Sequence, residues 1–360
     1  MKVLAVVNQK GGCGKTTLAI HLAAAWAKEG FRVLLVDLDP QGHASLGLGV
    51  EVEYCARGSY DLLSDPSAAL AEMVVPVAEQ LDLIPSGIIL SAAEQELARQ
   101  PGRESRLRSA LLRHGEAFDW VVVDTAPSVG LLTFNALVAA DALLVPVDSS
   151  TFTLHGLQKI LETLEVLEEE TRRRPACFVV ANQFDPRTLF SRELYAELAA
   201  NSRIRLLESR VRSSVRVKMA AASGVPVMRL AQPGPVRLDF ENLAEELWNH
   251  LTALSLERDR ELESLLFGPQ LCDEGVRFRL RAPEAQDVYL TGTFNHWNPG
   301  GIPLKPLPGG SGAWEVTLPL PPGNYEYRYI VDGRWVTDPS HQQTRLNELG
   351  VENSLLVVGG

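Results

Sequence analysis

Eight residues, Lys10-Gly-Gly-Cys-Gly-Lys15-Thr16-Thr17, constrain this chain more than any other segment. They follow the apolar run 3–7 (VLAVV) and precede a helical stretch over 15–29. Glycines let backbone N–H groups converge on phosphate oxygens, and the helix that opens behind them adds the positive end of its dipole. A lysine at position 15 is placed to pair with β- and γ-phosphates, and the Thr16 hydroxyl to bind Mg²⁺. The bland alternative is a glycine turn with solvent-facing lysines. The chain holds seven Lys against 27 Arg, so two lysines within six residues of one glycine loop are not background.

Strand-length apolar runs recur at 32–36, 120–123, 142–147 and 177–181, separated by helical stretches such as 104–114 and 154–170. They are continuous rather than alternating, as strands buried on both faces should be. The pattern predicts an α/β domain with a doubly wound, mostly parallel sheet, which binds ligands at the carboxyl ends of its strands. Two further motifs fall there: Val36-Asp37-Leu38-Asp39-Pro40-Gln41-Gly42 and Val123-Asp124-Thr125-Ala126-Pro127-Ser128. An Asp that ends a strand is usually a turn former. Beside a phosphate loop, Asp124 is placed to hold Mg²⁺ through water.

These three motifs, in this order, resemble the ParA/Soj partition ATPases, cousins of MinD, over about residues 1–255. The first lysine of KGGCGKTT makes the loop a deviant Walker A motif. The resemblance implies a P-loop NTPase that uses ATP and Mg²⁺. Gly11, Gly12, Cys13, Gly14, Lys15, Thr16 and Thr17 would bind the nucleotide. Lys10 would reach the phosphates held by a partner subunit, so that ATP is sandwiched in a homodimer. Asp39 would position the attacking water, Asp124 would be the Walker B residue, and Asn182 would read adenine. Cys13 fills a variable slot and is read as a small filler. No cysteine directly follows the Walker B strand, no CxxC occurs and no tyrosine cluster suggests a tyrosine kinase. The nitrogenase iron protein, iron–sulfur carriers and bacterial tyrosine kinases are thereby excluded. Residues 239–263 hold eight Asp/Glu and two Arg, the reverse of a basic MinD-like membrane anchor.

Net charge is −11, which argues against a molecule coated in nucleic acid. Yet residues 203–218 carry six basic side chains against Glu208 alone. The family binds DNA without sequence preference through this region, and Arg192, Arg212, Arg216 and Lys218 are the residues carried over. Their contacts would go to phosphates and be salt-sensitive. An ordinary solvated face with ion pairs is the alternative.

Composition shifts near residues 265–272. The last 92 residues hold three of six Trp, four of seven Tyr and ten of 22 Pro. Short alternating strands are predicted at 275–281, 286–293, 313–320, 324–331 and 354–358, with Pro/Gly turns between them. This suggests an all-β immunoglobulin-like sandwich. The segments VYLTGTFNHW, NYEYRYIVDGRWVTDPS and LGVENSLLVV resemble the glycogen-binding module of AMP-activated kinase β subunits and isoamylase-type modules. By that resemblance Trp297 and Trp335 form a platform for an α-glucan, with Arg328, Leu349 and Asn353 around it. Sugar C–H faces pack on exposed indoles while hydroxyls need a few placed polar groups.

The expectation is a domain over 1–265 that dimerises on ATP, binds DNA and hydrolyses ATP, fused to a module over 270–360 that tethers an α-glucan such as glycogen. A stimulating partner protein is expected, since no basic N-terminal arm is evident. The alternative is a regulatory switch or scaffold whose module docks onto a protein. No apolar run of transmembrane length or signal-peptide core occurs, so no membrane partner and a cytoplasmic, nucleoid-associated location are expected.

Overall fold

The computed structural model describes residues 1–114, 117–128, 130–148, 153–183, 189–307, 312–341, 343–347 and 350–359. The chain divides into two compact units, Met1–Asn249 and His250–Gly360. The division lies inside the helix Val236–Phe267. The expected boundary near 265–272 therefore falls at the C-terminal end of that helix instead.

The first unit is built on one sheet. Its strands are β1 Lys2–Val6, β2 Val33–Leu38, β3 Val75–Ala78, β4 Leu81–Ile84, β5 Trp120–Thr125, β6 Ala142–Val147, β7 Ala176–Asn182 and β8 Arg205–Val211. They lie in the order β3-β4-β2-β5-β1-β6-β7-β8. All pairings are parallel except β3 with β4. The central strands β2, β5 and β6 are buried at every residue, which is why they read as unbroken apolar runs. The sheet edges escaped that pattern. β8, Arg-Leu-Leu-Glu-Ser-Arg-Val, buries only alternate residues, and the β3–β4 hairpin turns through Gln80 at φ 58°.

Register fixes the site. β5 pairs with both β1 and β2, so Val6 lies beside Asp124 and Asp37 lies on its other side. The carboxylates of two motifs 87 positions apart thus meet at the carboxyl ends of adjacent strands. Helix α1, Lys15–Lys28, is buried along most of its length. Trp26 stacks on Trp120 at 4.1 Å between centroids and donates its indole N–H to the Ala244 carbonyl at 3.1 Å. The helix from Val236 buries Phe240, Leu243, Ala244 and Leu247, spaced three and four apart on one face.

In the second unit the strands are β9 Gln270–Cys272, β10 Gly275–Arg281, β11 Val288–Gly292, β12 Ile302–Pro303, β13 Lys305–Pro306, β14 Ala313–Leu318, β15 Gly323–Val331, β16 Arg334–Val336, β17 Thr344–Leu346 and β18 Glu352–Val358. They form one sheet in the order β13-β14-β10-β9 and another in the order β12-β11-β15-β18-β17, with β16 paired to β15. Every pairing is antiparallel, which makes a β-sandwich. Val276, Phe278 and Leu280 point into the core, while Arg277 and Arg279 face outward to Glu315. Tyr327 and Tyr329 are buried whole. Their hydroxyls donate to Asp338 Oδ2 at 2.6 Å and to the Arg279 carbonyl at 3.0 Å, so neither is left unpaired.

Candidate functional site

The glycine loop turns through left-handed conformations at Gly12 (φ 78°) and Gly14 (φ 90°). A side chain at Gly14 would also collide with the Asn182 amide. Asn182 Nδ2 donates to the Cys13 carbonyl at 2.7 Å, and Gln183 Nε2 to the Gly12 carbonyl at 3.4 Å. The end of β7 thus braces the loop from behind. One N–H of the Asn182 amide is engaged in this bracing. Cys13 is buried, with its thiol donating to the Lys10 carbonyl at 3.2 Å. Burial pushes that thiol above its ordinary pKa, which leaves a small packed filler rather than a nucleophile.

Helix α1 begins at Lys15 without a side-chain cap and without an acid in its first turn. Its first N–H groups are therefore available to an anion. Lys15 is buried, and its ammonium donates to the Lys10 carbonyl at 3.1 Å. Lys10 itself is ion-paired with Asp148, which follows β6. The sequence reading missed Asp148, although the signal was present: an Asp directly after the apolar run 142–147, like Asp124 after its own.

The acid cluster lies across the loop. Asp37 is fully buried and accepts hydrogen bonds from Ser45 N (2.9 Å), Ser45 Oγ (2.8 Å) and Asp39 N (3.1 Å). Burial nevertheless pushes its carboxyl up to about 6. Asp39 is buried and accepts from Gln41 N at 3.0 Å through Oδ1. Asp124 differs from both. Its two carboxylate oxygens are buried with no hydrogen-bond partner among the described residues. Burial holds this carboxyl well above its usual range and the Asp37 charge adds to the effect, while Thr16 and Lys15 pull it back. An orphaned acidic pair of oxygens facing a loop threonine suits a hydrated divalent cation.

Loop and acids open onto a cavity of about 610 Å³. Its lining joins the loop residues and Asp39 to the apolar Ile20, Leu46, Val217, Ala221 and Val225 and to the polar His21, Gln41, His43 and Gln183. Sequence reasoning missed the apolar part of this lining, because it comes from separate segments of the chain.

The basic residues are placed less uniformly. Arg192 is exposed on the helix Leu189–Ala199, which meets β8 where Tyr195 OH donates to the Leu207 carbonyl at 3.2 Å. Arg212 binds Asp239 through both arms of its guanidinium, at 2.7 and 2.9 Å, and through its own backbone N–H. Arg216 is half-buried and Lys218 exposed on the helix Val215–Ala222, whose Ser214 cap accepts from Arg216 N. Among the described residues, Arg212 is the member of this set ion-paired to another element.

In the second unit Trp297 and Trp335 lie 6.2 Å apart between ring centroids at 31°. Trp335 is 40% exposed. Trp297 and the preceding His296 both adopt left-handed φ, in a turn held by Asn295 Oδ1, which accepts from Gly292 N and Thr291 Oγ1. The Arg328 guanidinium sits 5.8 Å from the Trp335 ring and donates to its carbonyl at 2.9 Å. Asn353 is buried and donates to Glu326 Oε2 at 2.9 Å, and Arg345 pairs with the other oxygen of Glu326. Glu326 is a polar group the sequence reading did not single out. Leu349 lies outside the described residues. Trp314 packs on the sandwich core and donates to the Ala282 carbonyl.

Residues 1–175 match the family described as AAA domain. Residues 276–359 match the family described as glycogen recognition site of AMP-activated protein kinase. The chain is similar to the chromosome partitioning protein ParA of Caulobacter vibrioides, 35% identical over 267 residues, covering 73% of this chain and 98% of that one. It is 39% identical over 245 residues to the chromosome-partitioning ATPase Soj of Thermus thermophilus, covering 68% and 94%. A solved cobyrinic acid a,c-diamide synthase from Mycobacterium smegmatis, with bound ATP analog and magnesium, is 30% identical with a TM-score of 0.61 over 70% of this chain and 96% of that one.

Proposed function

The chain belongs, over its first 250 residues or so, to the ParA/Soj partition ATPases, and from that premise we propose that it is an ATP-driven positioning protein with a glucan-binding tether. ATP and Mg²⁺ occupy the cleft, two copies close on the nucleotide, and the closed dimer holds DNA without sequence preference. Hydrolysis to ADP and phosphate reopens it. The sandwich at 270–360 binds an α-glucan such as glycogen and so carries a cargo. A second protein stimulates turnover, and the cycle runs on the nucleoid.

The observation that carries this reading is Asp124, whose buried oxygens have no hydrogen-bond partner among the described residues. Asp124, through water, and Thr16 would hold Mg²⁺, which when bound offsets the phosphate charge. Lys15 and the first N–H groups of α1 bind the β- and γ-phosphates. Asp39, with Oδ1 held by Gln41 N, keeps its second oxygen for a water aligned on the γ-phosphate. Lys10 exchanges Asp148 for the phosphates held by the second copy. Asp39→Ala is expected to bind ATP and dimerise at the parent's affinity while turnover falls at least a hundredfold, measured as phosphate release. Turnover at the parent rate would remove Asp39 from the water-positioning role. Lys10→Ala is expected to lose ATP-induced dimerisation, read by light scattering.

A further inference from the structure

We infer that the α-glucan site of the second unit extends beyond its two tryptophans, across the sheet to the β17 edge, where Arg345 and Glu326 take the hydroxyls of further glucose units. The inference rests on the glucan reading of this unit. Successive side chains on a strand point to opposite faces, and directly paired residues share a face. On β15, Tyr327 and Tyr329 are buried in the core, so Glu326 and Arg328 belong to the other face. Trp335 on β16 pairs with Ile330, which puts it on that same outer face. On β18, Ser354 pairs with Tyr327 and shares its inward side, so Asn353 belongs to the outer one. Arg345 on β17 pairs with Asn353 and joins it there. One face thus runs from Trp335 and Arg328 to Arg345. The strands β15, β18 and β17 are consecutive, so Arg328 and Arg345 start two strand spacings, about 10 Å, apart.

Contacts tie this row together. The Arg328 guanidinium sits by the Trp335 ring and donates to the Trp335 carbonyl. Glu326 uses both carboxylate oxygens: Oε2 accepts from Asn353 Nδ2 at 2.9 Å and Oε1 from Arg345 Nη1 at 3.4 Å. Asn353 is buried, whereas the Arg345 side chain is 65% exposed. An ion pair this exposed adds little to stability, so the fold has small need of it. What it offers is a guanidinium fork set beside a carboxylate that a buried amide braces. A guanidinium carries five N–H donors, and among the described residues Nη1 alone is engaged here. Neighbouring sugar hydroxyls accept from such a fork and donate to the carboxylate lone pairs. A short oligosaccharide covers two indole centroids 6.2 Å apart. Reaching Arg345 takes a longer chain.

The test is a length series by isothermal titration on the full-length protein, from maltotriose to maltoheptaose. The parent should gain about tenfold in affinity along the series, the scale of one hydrogen bond to a charged group. In Arg345→Ala and in Glu326→Gln that gain should shrink to about twofold or less. Trp335→Ala should instead weaken every length. Arg345 is exposed enough that its variant should keep the parent melting temperature, and it decides the matter where Glu326→Gln does not fold. A parent whose affinity is flat beyond maltotriose would overturn the inference. So would variants that keep the parent's gain, or that lose affinity equally at every length. A parent that binds none of the oligosaccharides takes the glucan reading down as well, which separates the two failures.

Discussion

Asp124 shows how one residue can be costly to the empty fold and useful to the filled one. A carboxyl whose folded pKa lies above its unfolded value binds more protons when folded, so stability falls as pH rises through that window. For Asp37 the window runs from 3.8 to about 6, and burial also raises Asp124 well above its ordinary value. As pH rises through these windows both are driven toward the ionised form, for which Asp124 finds no hydrogen-bond partner among the described residues. Asp124→Asn is therefore expected to stabilise the nucleotide-free protein at pH 7, by on the order of 1–3 kcal/mol. Thermal melts in EDTA would read this, and an unchanged or lower melting temperature would argue against the strain described. In melts without EDTA, Mg²⁺ with ATP should stabilise the parent more than the variant. The loop and both motif acids were legible in sequence because glycine spacing and strand-ending Asp are local signals. The orphaned state of Asp124 was not, since it depends on what two other strands place around it.

At the level of elements, the basic segment is one charge run in sequence and two different things in the fold. Arg212 clamps Asp239 on the helix from Val236, whereas Arg216 and Lys218 ride on the short helix Val215–Ala222. Reversing Arg212 would set Glu against Asp239 and confuse DNA loss with unfolding. The informative variant is Arg216→Glu with Lys218→Glu. It should keep the parent melting temperature and lose ATP-dependent retention on DNA of any sequence. Parent retention should weaken steeply between about 50 and 200 mM salt, because each phosphate contact releases counterions. Retention that persists in the double variant would place the DNA surface elsewhere. The same short helix is pinned at its far end, where Gly224, at φ 63°, packs against Gly49. A Cβ at Gly224 would come within 2.8 Å of the Gly49 Cα. Gly224→Ala is accordingly expected to cost about 1–3 kcal/mol, read as a fall in melting temperature.

Across the whole molecule, two units with separate cores predict separable behaviour. The sandwich buries Phe278, Leu290, Tyr327 and Tyr329 among its own strands. The fragment 270–360 should fold alone and bind maltoheptaose. Trp297→Ala and Trp335→Ala should each weaken binding by roughly ten- to a hundredfold. Trp314→Phe should cost stability more than affinity. A folded fragment that gives no heat and no tryptophan-fluorescence change with millimolar maltoheptaose would favour docking onto a protein instead.

Local chemistry settled much of this protein before any coordinates. Central strands announce themselves as continuous apolar runs because both faces are buried, and the glycine loop because only glycine tolerates its backbone. The sandwich strands alternate because one face meets the core. Edge strands such as β8 carry no such signature, since half their side chains meet water. Tertiary structure alone decided that Asp37 and Asp124 stand side by side, that Asp148 holds Lys10, and that Arg212 belongs to Asp239. Each of these is a meeting of residues far apart in the chain. The register and packing that bring them together are properties of the assembled fold, not of any one segment.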